Sequence, residues 1–333
     1  MFDFEQDRIV AWIRDGGFAS VALQLPEGLK VRAAELSDEI SERTGASVAV
    51  IGLPCYGACD LYDHKGRFDA LVHFGHSPIP SQGDDPTVLY IESRSDVKLG
   101  EDVPEVISVM PRRIGVLATV QYLGLIPEMV AILDSTGRTA LVGTGDDRIC
   151  HPGQVLGCNC SAAEAVLDDV DAFLYIGEGD FHPLAVALGV GKPVYVLNPI
   201  TSELRDMSEA RDRMLRRRFA AIESSRSANS FLVVESRKIG QNRREEADRI
   251  CSLIRESGRS ACRVLLDEIN PDALAAYRVD AYVNTACPRI AMDDSARYGK
   301  PMLTVTELEI ALGLREWADY EFDQIRPVPI RLS

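Results

Sequence analysis

Short apolar runs alternate with polar stretches of helical periodicity along the whole chain, and the alternation restarts twice. In the first third, Ser20-Val-Ala-Leu-Gln-Leu25, Ser47-Val-Ala-Val-Ile-Gly-Leu53, Ala70-Leu-Val-His-Phe74 and Val88-Leu-Tyr-Ile91 predict four strands. Helical stretches lie before them, to about Asp15, and between the first two, ending near Thr44. The second set is Arg113-Ile-Gly-Val-Leu-Ala118, Thr139-Ala-Leu-Val-Gly143, Ala172-Phe-Leu-Tyr-Ile176 and Pro193-Val-Tyr-Val-Leu197, with helices from Leu125 to about Ser135 and from Ala163 to Val170. The third set is Ser230-Phe-Leu-Val-Val-Glu235, Cys262-Arg-Val-Leu-Leu266, Ala281-Tyr-Val-Asn284 and Pro301-Met-Leu-Thr-Val305, with a helix from Asn242 to about Ser257. Ser202 to about Ser225 is rich in Arg, Glu and Met at helical spacing and predicts a long connecting helix.

Strands alternating with helices imply crossover connections and parallel sheets. The predicted fold class is therefore α/β, with three related small domains: residues 1–108, 109–204, and 205–333, the last including the connecting helix. The third-strand exits repeat best: Phe74-Gly-His-Ser-Pro, Ile176-Gly-Glu-Gly-Asp-Phe-His-Pro and Asn284-Thr-Ala-Cys-Pro.

Composition narrows the class. The chain has 333 residues, 46% of them hydrophobic, and a mean hydropathy of −0.04, which suits a soluble protein. No apolar run approaches the ~18 residues of a membrane span. The acidic start, Met-Phe-Asp-Phe-Glu-Gln-Asp, lacks the basic region and apolar core of a signal peptide, so a cytoplasmic location is expected. The eight cysteines are then not expected to form structural disulfides. A net charge of −15 disfavours general binding to nucleic acid.

Three segments carry the candidate chemistry: Tyr56-Gly-Ala-Cys59-Asp60, Gly153-Gln-Val-Leu-Gly-Cys158-Asn159 and Asn284-Thr-Ala-Cys287-Pro-Arg289. Each places a cysteine among small or turn-forming residues after a predicted strand, where a parallel sheet exposes its chemistry. Three converging thiolates are one short of a closed four-cysteine iron–sulfur site and would leave one iron open. Cys59 and Cys158 follow second strands, whereas Cys287 follows a third, so simple triplication did not make the site. Cys55 and Cys160 compete with their neighbours, and spacing does not rank Cys158 against Cys160. Cys150, Cys251 and Cys262 are expected to be packing residues. The pairs of local Cys-x-x-Cys or His ligands typical of structural zinc are missing.

Gly177-Glu-Gly-Asp-Phe-His-Pro183 joins two glycines, two carboxylates, an aromatic ring and a histidine at one strand exit, which suits a small-molecule site. Glu27 and Gly28, at the first strand's exit, are weaker candidates. His76 and His182 are candidate proton shuttles.

Taken together, these motifs resemble the archaeal enzymes of the first step of diphthamide biosynthesis, the 2-(3-amino-3-carboxypropyl)histidine synthases. The resemblance runs from Leu23-Gln-Leu-Pro-Glu-Gly to Thr304-Val-Thr-Glu-Leu-Glu. It implies three α/β domains around one central 4Fe–4S cluster held by Cys59, Cys158 and Cys287, with no catalytic side chain assigned beyond the cluster. It implies reductive cleavage of S-adenosylmethionine at the bond to the aminocarboxypropyl Cγ, a noncanonical radical reaction. The 3-amino-3-carboxypropyl group then goes to a histidine of translation elongation factor 2. An electron donor and a homodimer are implied too. The Cys-x-x-x-Cys-x-x-Cys signature of ordinary radical enzymes of this cosubstrate is absent, since Tyr62 stands where a third cysteine would follow Cys55 and Cys59.

On this resemblance the cosubstrate site is expected to include Gly177, Glu178, Gly179 and His182, with Glu27 and Arg289 nearby. A guanidinium fork matches the methionyl carboxylate; an ion pair from Arg289 to Asp293 or Asp294 is the competing assignment. Two other functions stay open: a quinolinate-synthase-like dehydratase, also built on three domains and three cysteines, and a non-catalytic α/β protein that binds a metal or small molecule.

Overall fold

The computed structural model describes residues 2–327. It contains three sheets, one per third of the chain. The first uses β1 (Ser20–Gln24), β2 (Ser47–Val50), β3 (Ala70–Phe74) and β4 (Val88–Ile91) in the order β2-β1-β3-β4, all parallel. The second uses β5 (Arg113–Ala118), β6 (Thr139–Leu141), β7 (Ala172–Ile176), β8 (Val194–Leu197) and β9 (Leu204–Asp206) in the order β6-β5-β7-β8-β9. The third uses β10 (Ser230–Ser236), β11 (Ser260–Leu266), β12 (Ala281–Asn284) and β13 (Met302–Leu303) in the order β11-β10-β12-β13. Each sheet thus repeats one strand order, with β9 added antiparallel at an edge.

Burial explains the strand patterns. All residues of β3, β7 and β12 are buried, whereas the flanking β2 is exposed at both ends. A central parallel strand is covered on both faces by helices and reads as one apolar run. The helix Gln6–Gly16 turns Ile9, Val10 and Ile13 inward, and Arg244–Glu256 does the same with Ala247, Ile250, Cys251 and Ile254.

The expected connecting helix begins later than the Arg/Glu/Met pattern suggests. Residues Leu204–Asp206 pair with β8 as β9, and the helix runs Ser208–Ser225. Its buried Arg218 pairs with buried Glu307 at 2.5 Å and donates to the carbonyls of Ala291 and Met302, both at 2.6 Å. Glu307 also closes the capping box with Thr304 that starts the helix Val305–Ala311. One ion pair therefore ties the long helix to the third sheet and to the turn after Cys287. The helix expected from Ala163 to Val170 is a short turn, Ser161–Glu164, and a 3₁₀ turn, Leu167–Asp169. Cys262, expected to pack, is exposed on β11. Among the described residues no helix is long and apolar enough to cross a membrane.

Candidate iron–sulfur site

In a strand order of 2-1-3-4 the chain reverses direction of progress between the first and third strands. A crevice opens there, beyond the carboxyl ends. The three crevices face one another across a cavity of about 570 Å³. First-strand exits contribute Pro26 and Gly28, Thr119 to Gln121, and Lys238 and Gln241; second-strand exits contribute Tyr56 to Cys59, Gln154 to Cys158, and Asp267 to Ile269; third-strand exits contribute Gly75 to Ile79, Phe181 and His182, and Cys287, Arg289 and Ile290. All three units line the cavity.

Cys59 sits in the 3₁₀ turn Ala58–Asp60 beyond β2. A side chain on Gly57 would come within 3.2 Å of its sulfur. The Gly240 N–H donates to the Cys59 carbonyl at 3.0 Å, and Gln241 Nε2 donates to its Sγ at 3.4 Å. Cys158 ends a loop that runs alongside the end of β5, where Val155 N–H donates to the Ala118 carbonyl. Gly153 starts that loop at φ 73°, with Val116 and Val142 against it, so only glycine fits. The Ile325 N–H donates to the Cys158 carbonyl at 2.9 Å, and Asn159 Nδ2 donates to the Ile325 carbonyl at 3.1 Å. Cys287 follows β12, where Asn284 spans the turn: its Nδ2 donates to the Cys287 carbonyl at 2.7 Å, and its Oδ1 accepts the Ala286 N–H.

The donor set fits an iron–sulfur cluster. Burial pushes all three thiols up, Cys59 to about 11, and the negative charge of Cys158 raises Cys59 and Cys287 further. Three sulfurs that repel as thiolates need cationic metal between them, and metal binding displaces their protons. Cys160 does not line the cavity: its fully buried Sγ lies 3.1 Å from Gln324 Oε1. Cys55 is buried behind Cys59, near His73 and His76.

Arg289 is 4% exposed. Its Nη2 donates to Asp293 at 2.7 Å, as the competing assignment expected. Its guanidinium also lies 4.1 Å from the Phe181 ring centroid, and among the described residues its buried Nε and Nη1 have no hydrogen-bond partner. Burial lowers its pKa, and Asp293 and the thiols of Cys287 and Cys158 only partly oppose this. Two unpartnered donors on a buried cation, in the wall beside Cys287, make a place for an anion.

The loop after β7 behaves differently from the sequence expectation. Its cavity wall is Phe181 and His182, while Gly177, Glu178 and Gly179 do not line the cavity. Glu178 is exposed and accepts from Tyr122 Oη at 2.6 Å. The first helical turn after the loop, not the glycine turn itself, faces inward. Glu27 likewise points away and pairs with Lys30 at 2.5 Å, leaving Pro26 and Gly28 at the wall.

Sequence reasoning missed four residues here. Lys238 bridges Asp60 at 2.8 Å and Glu268 at 2.5 Å and lies 4.9 Å from the Tyr56 ring centroid. Burial alone would lower its pKa, but the two carboxylates hold it above the ordinary value. Gly240 and Gln241 hold Cys59, and Arg148 Nη2 donates to the Gly240 carbonyl at 3.2 Å. No local motif marks them. Their only signal is position at a strand exit: Lys238, Gly240 and Gln241 follow β10, the first strand of its unit, and Arg148 follows β6, a second strand.

The model of the diphthamide synthesis protein family matches residues 25–322. The chain is 36% identical over 331 residues to a 2-(3-amino-3-carboxypropyl)histidine synthase of Pyrococcus horikoshii, covering 98% of this chain and 94% of that one. It is 27% identical over 348 residues to the synthase of Methanocaldococcus jannaschii, with 98% and 94% covered. A crystal structure of Dph2 from Pyrococcus horikoshii with a 4Fe–4S cluster is similar at a TM-score of 0.90 and 35% identity, covering 100% of this chain and 97% of that one.

Proposed function

The chain belongs to the diphthamide synthesis protein family, and from that premise we propose that it is a 2-(3-amino-3-carboxypropyl)histidine synthase. It is a transferase that moves the 3-amino-3-carboxypropyl group of S-adenosylmethionine to a histidine of translation elongation factor 2. The observation that carries this reading is the cavity itself: three thiols, one from each unit, line it beside a buried arginine with two donors unpartnered among the described residues.

Cys59, Cys158 and Cys287 would hold the 4Fe–4S cluster, which when bound supplies an electron to the sulfonium and an iron with no cysteine ligand. Arg289 offers Nε and Nη1 to the methionyl carboxylate, while Asp293 fixes Nη2 and the Phe181 face fixes the guanidinium plane. Because Arg289 lies two residues beyond Cys287, an anchored carboxylate keeps the aminocarboxypropyl arm next to the cluster. Which carbon–sulfur bond breaks is then a matter of alignment. Phe181 and His182 present ring surfaces to the rest of the cosubstrate. Gly177, Glu178, Gly179 and Glu27 stand behind this wall as support.

An unidentified electron donor and a second copy of the chain complete the assembly in this reading, and the cytoplasm is its place. Anaerobic protein incubated with reductant, labelled S-adenosylmethionine and elongation factor 2 tests it. The expected products are methylthioadenosine and a modified histidine, detected by mass spectrometry. Iron-free protein after reconstitution, or 5′-deoxyadenosine as the main product, overturns it.

A further inference from the structure

The first unit's wall carries a histidine pair that the cluster does not use. His73, on β3, is fully buried, and His76, at that strand's exit, lines the cavity. Their proton positions follow from the hydrogen bonds. Gln24 Oε1 accepts the Tyr62 N–H at 3.0 Å, and Gln24 Nε2 donates to the Asp60 carbonyl at 2.7 Å, so this amide has one orientation. His73 Nδ1, 2.9 Å from that oxygen, must donate to it. In the neutral ring His73 Nε2 is then an acceptor, and His76 Nδ1 donates to it at 3.0 Å. That leaves Nε2 of His76 unprotonated.

Resting on the synthase reading, we propose that His76 is the general base that removes the ring proton from the target imidazole carbon, with His73 and Gln24 as positioning residues. A 3-amino-3-carboxypropyl radical forms a carbon–carbon bond to an imidazole carbon of elongation factor 2 and leaves one unpaired electron in that ring. Aromaticity returns when the carbon–hydrogen bond breaks: the proton goes to Nε2 of His76, and the electron goes to the oxidised iron–sulfur centre that reduced the cosubstrate. The sulfonium charge thus leaves as one proton, with no net redox change.

Burial holds both rings below the ordinary imidazole value, His76 at about 4, so the base is neutral at pH 7 and releases its proton readily. His182 also lines the cavity, but among the described residues no hydrogen bond orients its ring. Burial, and then the neighbouring Arg289, push it down to about 3. Cys55 Sγ lies within 4.8 Å of the histidine pair. The two ring nitrogens already satisfy each other, so a metal is not needed to explain the geometry.

The proposal is tested in two ways. Nitrogen NMR on the metal-free chain should find His73 and His76 both protonated at Nδ1 and not at Nε2. In cluster-loaded His76→Gln, the histidine modified per methylthioadenosine formed should fall by about 10²-fold or more. The fragment should divert to aminobutyrate, and added imidazole should restore part of the transfer. His76 protonated at Nε2, an unchanged transfer ratio in His76→Gln, or stoichiometric zinc that the substitution removes would each overturn it. Failure of the synthase reading looks different: the unsubstituted protein would form no methylthioadenosine at all.

Discussion

The backbone N–H of Gly240 donates to the carbonyl of Cys59 at 3.0 Å. A loop of the third unit thereby sets the position of the first unit's cysteine, and the units cannot shift without moving a sulfur. A Cβ on Gly240 would overlap the Cα and Cβ of Cys59. Gly240→Ala should leave the circular dichroism of the folded chain intact yet bind well under half the iron of the parent after anaerobic reconstitution. Full iron content would mean that this contact can yield without disturbing the site.

Cys59→Ala, Cys158→Ala and Cys287→Ala should each lose the cluster and the activity while the chain still folds. Cys55→Ala and Cys160→Ala should keep it. Cys160 is packed against Gln324 and away from the cavity, so its loss should cost only about 1 kcal/mol of stability. Iron per chain, measured alongside thermal unfolding, separates the two groups.

Arg289→Ala should weaken binding of S-adenosylmethionine by at least about tenfold, because a carboxylate would lose a charge-assisted pair of donors. Arg289→Lys should recover only part of this, since an ammonium cannot present a planar fork. Binding titrations decide it, and an unchanged affinity in Arg289→Ala would mean that the arginine serves its ion pair with Asp293 and not the cosubstrate.

Glu92 links the first two units: it accepts from Ser77 at 2.9 Å and from His151 Nε2 at 2.5 Å. Burial pushes its carboxyl up, but hydrogen bonds from His151, Ser77 and Arg94 outweigh that and hold it down at about 2. A depressed folded value means that the unfolded chain binds more protons as the solution turns acid. The stabilisation is present above about pH 4.5 and is lost as pH falls toward 2. Glu92→Gln should remove that part of the acid sensitivity, giving a shallower loss of stability over this window in denaturant titrations.

Much of this molecule was legible in the chain. Strands such as Ala70–Phe74 and Ala172–Ile176 are buried on both faces and must be apolar throughout, so their runs announce a parallel sheet, and their repetition announces three units. The cysteines at strand exits were legible for the same reason: in such sheets the chemistry collects at the carboxyl ends. Leu204–Asp206 was not legible as a strand, because an exposed edge strand pairs on one side and carries no apolar run.

Tertiary structure decided what local pattern leaves open. Spacing cannot say which of Cys158 and Cys160 faces the cavity; packing against Gln324, 164 residues away, turns Cys160 aside. Glu178 and Glu27 stood in the right loops but point outward to Tyr122 and Lys30, since one turn of backbone decides which side of a loop a carboxylate leaves. Arg289 kept both of its assignments, because a guanidinium has more donors than Asp293 can take. Gln241 meets Cys59 across 182 residues of chain. The sequence determines which elements form, through burial and periodicity along neighbouring residues. Which side chains share the cavity is set by how the three sheets dock, and that is a property of distances no local pattern encodes.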